Sequence, residues 1–263
     1  MEYRKLIAFG KNSFVISLPK AWVRQNKLVK GDLIYVEESG HNLLLSSKDI
    51  SENKTKLSIV LNVDGKTFRD VQREVCALYI QNYSKIVLKG QSIKNNIKDY
   101  QRIVQNLIAL EIMEQTSDSL IAQDFLNMDQ VSVYELLRKM DIVTRTMFKE
   151  MCSIFANGNY ENLNERDHDV NRLYFLLYRA VLYNLATPSK GLKNLKMSPI
   201  DLHKIHFIAF YVEAIADEVR RIARFAYELH PKKDIKEEFS SIFEDLSNFF
   251  IGSMKSYYTK DQN

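Results

Sequence analysis

Apolar and polar positions alternate at the start of the chain. Phe14, Ile16 and Leu18 alternate with Ser13, Val15 and Ser17 at the period of a half-buried strand, and Leu33, Tyr35 and Leu43, Leu45 repeat the device across a turn at Gly40. Pro19 cannot continue a central strand, so residues 20–27 are expected to make about two helical turns with Trp22 and Val23 buried, before Lys30-Gly31-Asp32 turns the chain back into strand. Residues 47–56 are polar and aperiodic, as linkers are. Beyond them, a β-branched run at 57–63, a helical pattern at 66–81 (Phe68, Val71, Val75, Leu78) and a short strand at 85–88 closed by Gly90 predict a βαβ unit. A second helix at 93–107 and β-prone stretches at 108–115 and 119–126 complete a small α+β layer with its helices on one face. From Met128 the pattern is helical throughout. Pro188, the pair Ser198-Pro199 and Pro231 punctuate it into helices near 132–156, 162–185, 200–229 and 234–258, and short connections between such helices make an antiparallel bundle. In the third helix the expected core stripe is Ile205, Ile208, Val212, Ile215, Val219, Ile222 and Ala226. The fold class is therefore α+β, with domains at 1–48, 57–127 and 128–263.

Composition narrows the class. The chain has 263 residues, 46% hydrophobic and 27% charged with 8 Gly and 4 Pro, which suits a helix-rich globular protein and excludes a disordered or fibrous one. The most apolar stretch, 173–186, is broken by Arg179 and too short to span a bilayer, and no apolar signal core opens the chain. Membrane insertion is not expected. Cys76 and Cys152 lie far apart, as reduced, buried thiols of a cytoplasmic protein do. Charge is uneven: residues 1–31 carry Arg4, Lys5, Lys11, Lys20, Arg24, Lys27 and Lys30 against Glu2 alone, a local +6 that exceeds the whole chain's +4. Such a concentration marks a polyanion footprint, and the alternative is a dimerisation cap with ordinary surface lysines.

The run Ser17-Leu18-Pro19-Lys20, then Trp22-Val23, Leu28, Lys30-Gly31-Asp32 and a closing hairpin resembles the AbrB/MazE/SpoVT swapped-hairpin family over residues 1–48. That resemblance implies a swapped-hairpin β-barrel shared by a homodimer and bound to double-stranded DNA. The residues it places at the DNA are Arg4, Lys5, Lys11, Asn12, Ser13, Lys20, Arg24 and Lys27. A module this small buries little surface alone, which gives the interleaving of two chains a physical reason.

The helical part carries two Glu-x-x-x-Asp pairs, Glu165 with Asp169 and Glu213 with Asp217. At a spacing of four both carboxylates of a pair share a helix face and repel unless a positive group lies between them. Facing pairs would offer oxygen ligands to hard cations such as Mg²⁺, Mn²⁺ or iron. Arg172, Arg220 and Arg224 follow on the same faces, so a solvated, salt-bridged face is the competing reading. His206, seven residues before Glu213, either joins that face or is an ordinary bundle histidine. The segment 211–223, Tyr-Val-Glu-Ala-Ile-Ala-Asp-Glu-Val-Arg-Arg-Ile-Ala, resembles the signature helix of the PhoU phosphate-uptake regulators, and 165–173 resembles the helix before it. This resemblance covers roughly 128–229, one three-helix repeat where bacterial relatives have two. It implies a PhoU-like bundle with multinuclear iron or a related metal on Glu165, Asp169, Glu213 and Asp217.

The order of the three parts resembles archaeal phosphate-uptake regulators. It implies a cytoplasmic, dimeric transcriptional regulator of phosphate homeostasis, with transport or signalling proteins as further partners. The alternative is a signalling subunit that docks on a phosphate transporter or histidine kinase without binding DNA, and an antitoxin is a third option that some 200 ordered residues after the hairpins disfavour. No nucleophile elbow, phosphate-binding loop or metalloprotease helix is present, so catalysis is not expected.

Overall fold

The computed structural model describes residues 3–39, 42–47, 57–157, 160–186, 195–229 and 232–259. The expected turn at Gly40, most of the 47–56 linker, Pro188 and Pro231 lie outside them. The chain divides into two units, Met1–Thr55 and Lys56–Asn263.

In the first unit, β1 (Ile7–Phe9) and β2 (Ser13–Val15) pair antiparallel, and Gly10 takes a positive φ of 69° in the turn between them. Helix α1 (Lys20–Gln25) follows Pro19, whose extended backbone forms its N-cap. The helix stops where Lys27 enters the left-handed region at φ 55°, which lets the Leu28 N–H reach the Val23 carbonyl at 3.0 Å. Strands β3 (Tyr35–Ser39) and β4 (Asn42–Ser46) form a second antiparallel hairpin. Ser47 Oγ donates to Asn26 Oδ1 at 2.9 Å and so ties the end of α1 to the end of β4.

Two expectations change here. The strand expected to run to Leu18 ends at Val15, and Trp22 and Val23 are half-buried rather than buried. Among the described residues the four strands make two separate two-stranded sheets. No residue of this unit with a described side chain is buried, and Phe14 is 69% exposed. The reason is size: two-stranded hairpins are marginal alone, and this segment has no third layer to cover them.

The second unit begins with a four-stranded sheet. β5 (Ser58–Asn62) runs parallel to β6 (Lys85–Lys89), with α2 (Phe68–Ile80) as the crossover, and β7 (Leu110–Gln115) and β8 (Ser119–Asp124) follow α3 (Ile93–Gln105). The strand order is β5-β6-β8-β7. Thr67 and Asp70 cap α2 reciprocally, and period-2 alternation puts Leu61, Ile86, Leu88, Leu120 and Ala122 into one core with Val71, Val75, Tyr79, Ile103 and Val104 from the helices.

The bundle follows as α4 (Val133–Cys152), α5 (Ile154–Asn157), α6 (Tyr160–Ala186), α7 (Pro199–Leu229) and α8 (Lys233–Thr259). The expected single helix at 132–156 is broken at Ser153 into α4 and α5. Ser198 and Asp201 cap α7 reciprocally, with Pro199 in its first turn as expected. The buried stripe of α7 is rotated from expectation: Ala209, Ala216 and Ala223 are buried with Leu202, Ile205, Val212, Val219 and Ala226, whereas Ile208 and Ile215 are half-buried and Ile222 is exposed. Small residues every seventh position let α7 approach α4 and α6 closely, and the isoleucine row is left facing α8 across an apolar groove of about 730 Å³.

The expected domains 57–127 and 128–263 keep separate cores but form one unit. Arg179 of α6, 1% exposed, joins them: its Nη2 donates to Asp124 Oδ2 at 2.5 Å, its Nε donates to Asn82 Oδ1 at 3.0 Å, and its guanidinium lies 4.5 Å from the Tyr79 ring centroid.

Candidate functional site

Helix α6 faces its neighbours with Leu163, Val170 and Leu177, all buried, at heptad spacing. Asp167, at the intervening position, therefore points at the same seam, while Glu165 and Asp169, two residues to either side, are turned about 200° away. Asp167 is half-buried, and Glu165 and Asp169 are exposed. Across the seam α7 presents Glu213, Asp217 and Arg220, each half-buried. Arg220 Nε lies 2.9 Å from Asp167 Oδ2, and its Nη2 donates to Asp217 Oδ1. One guanidinium thus lies between two carboxylates from two helices, with Glu213 as a third acid nearby.

The electrostatics follow from that excess of acid. Burial pushes the Asp167 carboxyl above its ordinary range, with Asp217 adding to the rise while Arg220 opposes it. Glu213 is raised for the same reason, first by burial and then by Asp217 and Asp167. Burial works against the Arg220 charge, but Asp217 and Asp167 outweigh it and hold the guanidinium firmly protonated. The arrangement binds protons more readily than isolated carboxylates do.

The four carboxylates implied as metal ligands do not converge. Glu213 and Asp217 lie on the seam, whereas Glu165 and Asp169 line a separate polar cleft of about 370 Å³ with Arg102, Asn106, His168 and Arg172. Asp169 is 3.9 Å from Arg172 in an exposed pair. Among the described residues no three His, Cys, Asp or Glu side chains are placed to hold a metal ion. Arg220 supplies the positive charge that the Glu213–Asp217 pair requires, as the salt-bridged alternative expects for Asp217. His206 does not join the acids either; its ring packs 4.2 Å from the Tyr178 ring centroid, and its Nε2 is 3.4 Å from the Tyr174 hydroxyl. Spacing alone pointed to Glu165 and Asp169, and the heptad register through Leu163 and Val170 was the signal that singles out Asp167.

The residues expected at DNA are all exposed. Arg4 and Lys5 precede β1, Lys11 and Asn12 form the β1–β2 turn with Ser13 opening β2, Lys20 and Arg24 lie on α1, and Lys27 is at its end. The thiols of Cys76 and Cys152 are free and half-buried, and burial pushes that of Cys76 up to about 11. Neither is poised as a nucleophile.

The chain matches the PhoU domain family over residues 137–226, from within α4 to near the end of α7. That match takes in the Asp167–Arg220–Asp217 seam and leaves the hairpin unit, the sheet layer and α8 outside it. No curated protein and no solved structure matches the chain. No helix among the described residues is long and apolar enough to cross a membrane.

Proposed function

We propose that the protein is a homodimeric, DNA-binding regulator of phosphate homeostasis, non-enzymatic and cytoplasmic, in which the hairpin unit binds DNA and the PhoU-like helices receive the signal. The observation that carries this reading is the composition of the hairpin unit's surface. Seven cations within 31 residues share this unit with an apolar set, including Ile7, Phe9, Phe14, Val36 and Leu43, that one chain leaves in water. A second copy interleaving its hairpins would cover the apolar set and double the positive charge facing a duplex. The match at 137–226 supports phosphate as the regulated quantity. Sequencing the DNA that co-purifies with the protein from its native cells tests the reading. Enrichment of promoter fragments upstream of phosphate-transport genes supports it, and recovery of no enriched sequence counts against it.

A second reading is favoured by one observation. The apolar groove between α7 and α8, with Phe249 73% exposed on its rim, is a surface on which a transporter or kinase helix fits, and the protein would then be a docking subunit whose hairpins serve dimerisation alone. Glu165 and Asp169 lie on α6, exposed, and Glu213 and Asp217 lie on α7 at the seam, so neither reading routes its signal through one metal held by all four.

A further inference from the structure

Helix α8 meets α4 along two flanks of opposite character. On one, Phe243 and Phe250 pack against Phe148 as tilted ring pairs with centroids 6.4 and 5.4 Å apart. On the other, the helices stand off and leave a cleft of about 960 Å³. Lys149 projects into it from α4 and Lys236 from α8. Among the described residues Lys149 has no ion-pair partner, and Lys236 has only the Phe155 ring, 5.5 Å from its Nζ. Arg145, one turn before Lys149, is already held by Asp141 at 2.7 Å, and Lys233 lies 3.7 Å from Glu237. Two uncompensated ammonium groups therefore face a cleft in which Glu244 is, among the described residues, the one unpaired acid. The side chains of Ser241, Ser247 and Asn248 line the same space and make no hydrogen bond among the described residues.

We propose that this α4–α8 cleft binds a phosphorylated ligand of nucleotide size, its phosphate held between Lys149 and Lys236 and its flat or apolar part against Phe155. Like charges on opposite walls repel unless an anion lies between them, and the unused hydroxyl and amide groups are donors suited to phosphate oxygens. Inorganic phosphate alone would leave most of the volume empty, whereas the cleft lies within the range of sites for drug-sized and cofactor ligands. The Cys152 thiol in the wall is held protonated, first by burial and then by Glu244, so the cleft is built for binding rather than covalent chemistry. A ligand there would bridge α4 to α8. Its role as the regulator's input rests on the function proposed above, but its binding does not.

Calorimetric titration of the full chain, without DNA, with ATP, adenosine and inorganic phosphate is the test. ATP should bind saturably, one per chain, and adenosine should not bind measurably. Lys149→Gln and Lys236→Gln should each weaken ATP by roughly tenfold, as removal of one charge-assisted hydrogen bond does, while Lys139→Gln, beside a different cleft, should leave it unchanged. Inorganic phosphate binding as tightly as ATP would overturn the size assignment. No ATP binding, or binding indifferent to Lys149 and Lys236, would overturn the site. Because no DNA is present, either failure leaves the DNA-binding reading standing, and loss of DNA binding would leave the cleft standing.

Discussion

Arg220 decides how the acidic seam behaves, because it is the one cation placed between Asp167 and Asp217 among the described residues. Arg220→Met would leave Asp167 charged and half-buried without a partner. Discounted for partial exposure, that should cost about 2 to 3 kcal/mol, and chemical denaturation at pH 7 would measure it. Glu213→Gln should act in the opposite sense. A carboxyl raised above its ordinary value contributes stability that is present below the unfolded value and lost as pH rises through the folded one. The Gln variant should therefore melt above the wild type at pH 7, and the gap should close as pH falls below the ordinary glutamate range. Melting curves across pH that show a constant gap, or none, would contradict the burial account. At this scale the sequence displayed two acidic pairs but not which of their members face inward; that depended on the register of α6, which Leu163, Val170 and Leu177 carry.

Helix α7 shows how an apolar stripe can be right in period and displaced in angle. Its isoleucines at 208, 215 and 222 repeat every seven residues, and so do its alanines at 209, 216 and 223, one position on. Bulk favours the isoleucines for the core, yet close approach of α4 and α6 requires the alanines there. Ala216→Leu should therefore overpack the three-helix junction and destabilise by about 1 to 3 kcal/mol, whereas Ile222→Ala on the groove wall should cost under about 1 kcal/mol. Equal costs by denaturant titration would return the isoleucine row to the core. Strands and caps were more legible, because β-branched alternation at β5 and β6, the Thr67–Asp70 box and the Ser198-Pro199 start are local signals that tertiary packing did not override.

At the scale of the whole molecule, Arg179 links the two expected domains, 57–127 and 128–263. The residue read as a break in an apolar stretch is instead the buried link from α6 to Asn82 and Asp124, a pairing between residues 97 and 55 positions apart that no local pattern announces. A chain lacking residues 1–55 should fold on its two remaining cores and sediment as a monomer. If it remains a tight dimer, the main interface lies on the helical unit, with the groove between α7 and α8 as its first location. The hairpin unit is where the sequence says most about function and a single chain says least about packing, since its apolar residues are exposed in one chain. The most direct measurement is fluorescence anisotropy of the intact protein with promoter duplexes over a series of salt concentrations. If a dimer neutralises about six phosphates, log K should fall with log salt at a slope near −5, and Lys11→Ala or Arg24→Ala should flatten it by roughly one unit for each phosphate no longer neutralised. No binding at low salt, or a slope indifferent to both substitutions, would contradict DNA recognition by the hairpin unit.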